Sequence, residues 1–246
     1  MTTITTTAPA VDTILRTAPA SPRQAASATE RHEDGQLLGR LTGLFFLITY
    51  ATSIPPVLSL YVPALSDPAF VLGGAPDMGL TWGAILEILL IVANIATALT
   101  AYPVLRRRFP ALSLAFVSAR LTESMFIAMG IVAVLALGTL RAQAGDADPA
   151  AMTAVGQALV AIHDWTFKMG PGVVVGFGNG IILGYMMWKT RLVPRFLSIL
   201  GLIGGPALLA ASTAVMLGRV RSGHGVSHGY VSSAGPPRLV GDRTCS

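Results

Sequence analysis

Residues 168–189 have the sequence KMGPGVVVGFGNGIILGYMMWK, in which a glycine recurs at every fourth position through the middle. A phosphate-binding glycine loop lies at a turn between a strand and a helix, but apolar residues continue on both sides of these glycines and no strand pattern precedes them. In a helix, glycines four residues apart share one face and let a neighbouring backbone approach closely. The stretch therefore predicts a membrane helix with a packing face, here called the glycine seam, which consists of Gly172, Gly176, Gly180 and Gly184.

The composition of the whole chain supports a membrane protein. Of the 246 residues, 52% are hydrophobic and only 12% are charged, whereas soluble domains carry about 25% charged residues. The net charge is +5, but the basic residues lie at the ends of apolar segments, without the basic stripe and interleaved aromatics of a nucleic-acid-binding surface. The expected partner is the lipid bilayer and not a nucleic acid. The single cysteine, Cys245, excludes an internal disulfide and a cysteine zinc cluster.

Five apolar stretches are each close to the ~20 residues that a helix needs to cross ~30 Å of hydrocarbon. They cover residues 41–61, 82–104, 112–137, 169–188 and 196–217. The predicted fold class is therefore an all-α polytopic transmembrane bundle that occupies residues 36–217. Residues 1–35 are rich in Thr, Ala, Pro and Ser without sustained periodicity, and they are predicted to form a disordered cytoplasmic tail.

Residues 150–168 have two interpretations. They can form an interfacial helix, with Trp165 at the level of the lipid headgroups, or an outer extension of the fourth span. A sixth crossing in this region is not expected, because it would reverse the side of the membrane on which every later loop lies.

The distribution of basic residues predicts the orientation. Arginines fill residues 106–108 between the second and third spans, and Lys and Arg recur over residues 189–195 between the fourth and fifth. Residues 62–81 contain no Lys or Arg. Since cytoplasmic loops carry the excess of basic residues, both basic loops and the N-terminus are predicted to be cytoplasmic.

Two parts of the chain resemble a known family. These are HDWTFKMGPGVVVGFGNGIILGYMMWKTRLVPRFLSILGLIGGP, residues 163–206, and RLTES, residues 120–124. Over residues 36–217 the sequence is similar to the bacterial multi-pass membrane proteins catalogued as domain of unknown function 4386. The resemblance implies a helical protein of the bacterial cytoplasmic membrane and no particular activity.

The C-terminal segment departs from this resemblance, which implies a sixth span after the fifth. Residues 218–246 are instead polar and contain several arginines, which would lie outside the cell against the usual trend. One hypothesis is that this segment is a frameshifted or truncated end, and the other is that it is a genuine disordered tail. The coding DNA distinguishes them, because the first hypothesis requires an apolar span in an alternative reading frame.

Three ionisable side chains, Glu87, Arg120 and Glu123, lie inside the predicted spans, with Asn94 as a polar companion. Each charge costs about 2.5–3.5 kcal/mol at a helix centre on insertion scales. At 1.5 Å per residue, Asn94 lies roughly 18 Å from the outer edge and Glu123 roughly 16 Å from the inner edge. Glu87 is only roughly 7 Å from the outer edge. We therefore expect a cluster of Asn94, Glu123 and Arg120 near the midplane, in which Arg120 and Glu123 pair across one helical turn.

This predicted cluster has a functional and a structural interpretation. It can be a polar site for an ion, a proton or a small solute. Alternatively, it is a buried pair that sets the register of the helices, or Arg120 extends toward the inner surface. His163, Asp164 and Lys168 lie near the predicted outer interface, where polar anchoring is expected and a metal site would need more ligands.

Three classes of function follow from these observations. The leading hypothesis is a non-enzymatic membrane protein that passes or senses a small solute, with no cofactor and no metal. The alternative is a structural or regulatory protein whose glycine seam binds another membrane protein or a second copy of the chain. A membrane-embedded enzyme is the third, but Ser118 and Ser124 flank the polar pair without the base of a catalytic triad.

Overall fold

The computed structural model describes residues 22–145 and 147–218, with side-chain environments from residue 34 onward. The regular secondary structure of these residues is helical and contains no strand. The α-helices are α1 (Pro22–Pro55), α2 (Val62–Ser66), α3 (Met78–Leu105), α4 (Pro110–Ala142), α5 (Pro149–Phe167), α6 (Gly184–Thr190) and α7 (Arg195–Met216).

Wider π-helical turns continue two of these helices. The segment Pro56–Leu60 extends α1, and the segments Lys168–Val174 and Gly176–Leu183 join α5 to α6. Proline lacks the N–H that an α-helix requires in its interior. Pro56 begins the first π segment and Pro171 lies within the second, so the local hydrogen-bond register is relaxed at both places.

Five helical rods in the described part of the chain are long and apolar enough to cross a membrane. They are Asp34–Leu60, Met78–Leu105, Pro110–Ala142, Pro149–Thr190 and Arg195–Met216. The predicted all-α bundle with five spans is therefore confirmed.

The N-terminal boundary differs from the prediction. Helix α1 begins at Pro22, before the predicted start of the bundle at residue 36, while residues 1–21 lie outside the described part of the chain. Pro22 suits the first position of a helix. The residues that follow include Arg, Gln, Ala and Glu, which all favour helix.

The fourth span is longer than one crossing requires. Residues Pro149–Thr190 form one rod of 42 residues, which is about 60 Å at 1.5 Å per residue. The side chain of Asp148 caps its start by accepting hydrogen bonds from the backbone N–H groups of Ala150 and Ala151. Residues 150–168 are thus continuous with the rest of the fourth span, which corresponds to the second of the two interpretations above.

The packing order of the helices leaves a space inside the bundle. Helix α1 packs on α3, α3 on α4 and α4 on α5, while α7 packs on the π segment Gly176–Leu183 and on α6. Two apolar clusters fill the opposite ends of the bundle. One contains Tyr61, Phe70, Leu80, Val134 and Leu137, and the other contains Ala98, Leu105, Phe116, Ile182 and Met186. The buried polar residues of α3 and α4 lie between them.

The C-terminal hypothesis concerns residues that are almost all outside the described part of the chain. Helix α7 ends at Met216, and the description ends two residues later at Gly218. The frameshift hypothesis therefore stays a prediction.

Candidate intramembrane solute site

Glu123 is the centre of a buried polar cluster between α3 and α4. Its Oε2 accepts a hydrogen bond from Arg120 Nη1 at 2.8 Å, and its Oε1 accepts one from Asn94 Nδ2 at 3.0 Å. Arg120 is 2% exposed and Asn94 is 1% exposed. The structure thus brings together Asn94, Arg120 and Glu123, the three residues that the sequence predicted to form a cluster.

The Arg120 side chain is held by aromatic rings as well as by Glu123. Its guanidinium carbon lies 5.0 Å from the ring centre of Phe46 on α1 and 5.9 Å from that of Phe116 on α4. The face of an aromatic ring attracts a cation, and more strongly when water is excluded. Ser124 Oγ donates to the Arg120 carbonyl at 2.9 Å, so its hydroxyl is used within its own helix.

A cavity of about 520 Å³, here called the central cavity, lies beside this cluster. Helices α1, α3, α4 and α5 and the π segments all contribute to its wall. Its polar lining residues are Thr49, Tyr50, Ser53, Glu87, Asn94, Arg120, Glu123, His163, Thr166 and Asn179. The rest of the lining is mainly aliphatic and aromatic. A mostly apolar pocket with a few convergent polar groups is the usual form of a small-molecule site.

Several polar atoms of the cavity residues have no hydrogen-bond partner. In the described part of the chain, six buried side-chain nitrogen or oxygen atoms lack one. Five belong to residues that line the central cavity, namely Asn94 Oδ1, Arg120 Nε, Arg120 Nη2, His163 Nδ1 and Asn179 Oδ1. Because buried polar groups are nearly always paired in native proteins, this concentration distinguishes the residues around the central cavity from the rest of the described structure.

Glu87 makes a separate contact on the same wall. Its Oε2 accepts a hydrogen bond from the hydroxyl of Tyr61 at 2.9 Å. The Tyr61 ring meets the His163 ring edge to face, with 5.7 Å between the centroids. Glu87, Tyr61 and His163 thus form a second polar group, which is distinct from the Arg120–Glu123 pair.

The prediction that His163 is an interfacial anchor is wrong. His163 is only 6% exposed and lines the central cavity. Gly130 of α4 packs close to the same helix, since a Cβ there would lie 3.0 Å from Thr166 Oγ1. Neighbouring residues on a helix point in different directions. Asp164 instead pairs with Lys168, whose Nζ lies 3.7 Å from Asp164 Oδ2, and these two side chains remain partly exposed.

Sequence reasoning also missed the contribution of α1. Thr49 and Ser53 are four residues apart and both line the central cavity. The i, i+4 spacing of small polar residues in an apolar helix was the available signal.

In the described residues, no group of three or more His, Cys, Asp or Glu side chains could hold a metal ion.

The glycine seam is filled by α7 of the same chain. A Cβ at Gly205 of α7 would lie 2.6 Å from the carbonyl oxygen of Gly176 and 2.8 Å from Gly180 Cα. Gly184 faces Leu202 and Ser198 on the same helix. The two backbones therefore meet directly, and the seam is not a free surface for a second protein in this structure.

Two further cavities lie at the opposite ends of the central one. The larger, about 850 Å³, shares Phe46, Tyr50 and Asn179 with the central cavity and extends to Arg40 and Leu192. We call it the basic-end cavity, because the basic loops at residues 106–108 and 189–195 lie at the same end of the bundle.

The smaller cavity, about 250 Å³, lies between α5 and α7. It shares Val57, His163 and Phe167 with the central cavity and extends to the Asp164–Lys168 pair. We call it the far-end cavity. The central cavity thus shares three lining residues with each of the other two cavities.

The five long apolar helical rods define a multi-pass helical membrane protein. Over residues 41–232 the chain matches the family described as domain of unknown function (DUF4386). This match covers more than half of the 246 residues, so the chain belongs to that family, and the resemblance noted from the sequence is confirmed. No curated protein and no solved structure matches the chain.

Proposed function

We propose that the protein passes a small polar solute across the membrane through the central cavity. The observation that supports this most directly is that five of the six buried unpartnered polar atoms belong to residues of that cavity. A pair that only set helix register would need the bond between Arg120 and Glu123. It would not need the unpartnered atoms of Asn94, His163 and Asn179. Leaving a buried donor or acceptor without a hydrogen bond costs about 1–3 kcal/mol.

The arrangement of the three cavities supports passage over binding alone. Phe46, Tyr50 and Asn179 line both the central and the basic-end cavity. Val57, His163 and Phe167 line both the central and the far-end cavity. Rotation of a few side chains in one layer would open the central cavity to one side while the other layer stays closed, which is the requirement for alternating access.

We further propose that the basic-end cavity opens to the cytoplasm of a bacterial cell. The basic loops at that end support this orientation through the positive-inside rule. The proposed location in the bacterial cytoplasmic membrane rests on the family resemblance.

The proposed function is non-enzymatic. The Ser124 hydroxyl donates to the backbone of its own helix, which differs from a nucleophile that hydrogen-bonds to a base. The alternative of a structural or regulatory partner has less support, because α7 occupies the glycine seam.

Water access to the central cavity tests the proposal. The single native cysteine is removed by Cys245→Ser, and a new cysteine is placed at Ser53, which lines the cavity. Ser118→Cys is the matched control, because Ser118 lies on the exposed surface of α4 and faces outward. A charged methanethiosulfonate reagent reacts only with thiolate that water can reach.

We expect Cys at 53 to react much faster than Cys at 118 in the folded, membrane-embedded protein. Ala75→Cys and Arg107→Cys, both at exposed positions in loops at opposite ends of the bundle, show that reagent reaches both faces. If Cys at 53 is as unreactive as Cys at 118 while both loop cysteines react, the cavity is dry and the proposal is wrong.

A further inference from the structure

The hydrogen bonds of Arg120 are incomplete along one edge of its guanidinium group. Arginine has five N–H donors in a rigid plane. Nη1 donates to Glu123 Oε2, whereas Nε and Nη2 have no partner in the described structure. These two nitrogens lie on the same edge, so their N–H groups point in parallel.

The surroundings of Arg120 restrict where a ligand can bind. Its guanidinium carbon lies over the rings of Phe46 and Phe116, 5.0 Å and 5.9 Å from their centres, so aromatic rings occupy part of the space around it. Glu123 has no unpartnered atom, because both of its carboxylate oxygens already accept a hydrogen bond. The hydrogen-bond partners that this cluster lacks are therefore an acceptor for Arg120 and a donor to Asn94 Oδ1.

We propose that the solute carries a carboxylate, which binds bidentately to the Nε–Nη2 edge of Arg120. This inference rests on the proposed function. Two coplanar oxygens match the arginine fork, and the paired charge-assisted bonds are about twice as strong as neutral ones. Glu123 and the solute carboxylate would share the single positive charge of Arg120, and the N–H hydrogen bond from Asn94 to Glu123 stabilises part of the remaining negative charge.

The other residues of the central cavity indicate the polar groups, the apolar part and the size of the solute. A hydroxyl or amino group near the carboxylate would donate to Asn94 Oδ1. Leu90, Phe126 and Ile127 give the wall an apolar part, which suits a short aliphatic or aromatic body. A volume of about 520 Å³ is within the range of about 300–1,000 Å³ for small-molecule pockets.

Binding requires a small movement of Arg120. The side chain lines the cavity, but Nε and Nη2 are closed off from water in this structure. A change of the Arg120 side-chain rotamer would turn this edge toward the cavity. Such changes are common when a ligand binds.

Protection of the cavity cysteine from labelling tests the inference. The full-length protein with Cys245→Ser and Ser53→Cys is labelled with iodoacetamide, which is uncharged, in the presence of benzoate or hexanoate. Benzamide and hexanamide are the matched neutral probes, and benzylamine and hexylamine are the matched cations. We expect the two carboxylates to slow labelling and the amides and amines to have much less effect.

The second part of this experiment repeats the protection measurement in the variant that also carries Arg120→Lys. Lysine keeps the positive charge but lacks the planar fork, so protection by benzoate should require on the order of tenfold more ligand. If this variant does not fold, the comparison of carboxylates with amides in the arginine protein still decides the matter.

The outcomes separate the two proposals. If amides or amines protect and carboxylates do not, or if no probe protects a cysteine that water reaches, the carboxylate inference is overturned and passage of another solute still stands. If Cys at 53 is not labelled even without probes, both proposals fail.

Discussion

Arg120 Nη1 lies 2.8 Å from Glu123 Oε2, one helical turn further along α4, and this bond occupies only one corner of the guanidinium group. The structural interpretation needs only this bond, whereas the functional interpretation needs the unpartnered edge beside it. Removing the two side chains singly and together distinguishes the interpretations.

We expect Glu123→Gln to destabilise the protein, because it leaves the buried charge of Arg120 without its counter-ion. Breaking a buried ion pair from one side costs about 3–5 kcal/mol. The double variant Arg120→Met with Glu123→Met should recover most of this loss, since an apolar pair of similar size is often tolerated. Unfolding by heat or denaturant in detergent measures the effect.

The same double variant separates fold from function. If it is stable and benzoate still protects Cys at 53, the pair is structural and Arg120 is not the carboxylate site. Recovery of stability together with loss of protection is the expected result.

The contact between the glycine seam and α7 predicts a large difference between two neighbouring glycines. Gly205→Ala places a Cβ 2.6 Å from the Gly176 carbonyl oxygen, whereas a Cβ at Gly204 has nothing within 4 Å. Both substitutions raise helix propensity. We expect Gly205→Ala to cost about 1–3 kcal/mol through overpacking and Gly204→Ala to change stability by less than about 0.5 kcal/mol.

Thermal unfolding of the two glycine variants is the measurement. Equal stabilities would mean that α7 does not pack on the seam as described. In that case the seam would again be available to a second protein.

The hydrogen bond from Tyr61 to Glu87 predicts a specific effect of removing one oxygen atom. Tyr61→Phe keeps the ring against His163 but leaves Glu87 Oε2 without its donor. An unsatisfied buried acceptor costs about 1–3 kcal/mol. Tyr102→Phe is the control, because Tyr102 is only half-buried and faces Arg106 through its ring. If both variants unfold at the same temperature, the Tyr61 bond contributes nothing.

The position of Phe167 predicts how reagent passes from the far-end cavity into the central cavity. It borders both the central and the far-end cavities, so Phe167→Ala should widen the passage between them. We expect faster labelling of Cys at 53 by reagent added on the far-end side, and little change for reagent added on the basic-loop side.

Trp165→Ala is the matched control for Phe167→Ala. Trp165 is on the same helix but lines neither cavity. Equal rates in the two variants would show that the solute path does not pass Phe167.

Part of the candidate site could be predicted because helical geometry is local. Arg120 and Glu123 lie three residues apart on one helix, which suffices to predict their contact. The proximity of Asn94 to Glu123 followed from multiplying the helical rise by the number of residues from opposite membrane faces. His163 could not be placed by this means, because its depth near the outer end of a span does not say which neighbour it faces.

The sequence by itself determined the helical class, the five spans and the contact between Arg120 and Glu123, because hydrophobic length and helical rise depend only on residues close in the chain. Only the tertiary structure decided that α7 fills the glycine seam, that Tyr61 binds Glu87 and that His163 turns inward. These contacts join residues far apart in sequence, such as Tyr61 and His163. They depend on which helix faces meet, and packing of side-chain shapes across the whole bundle sets that choice.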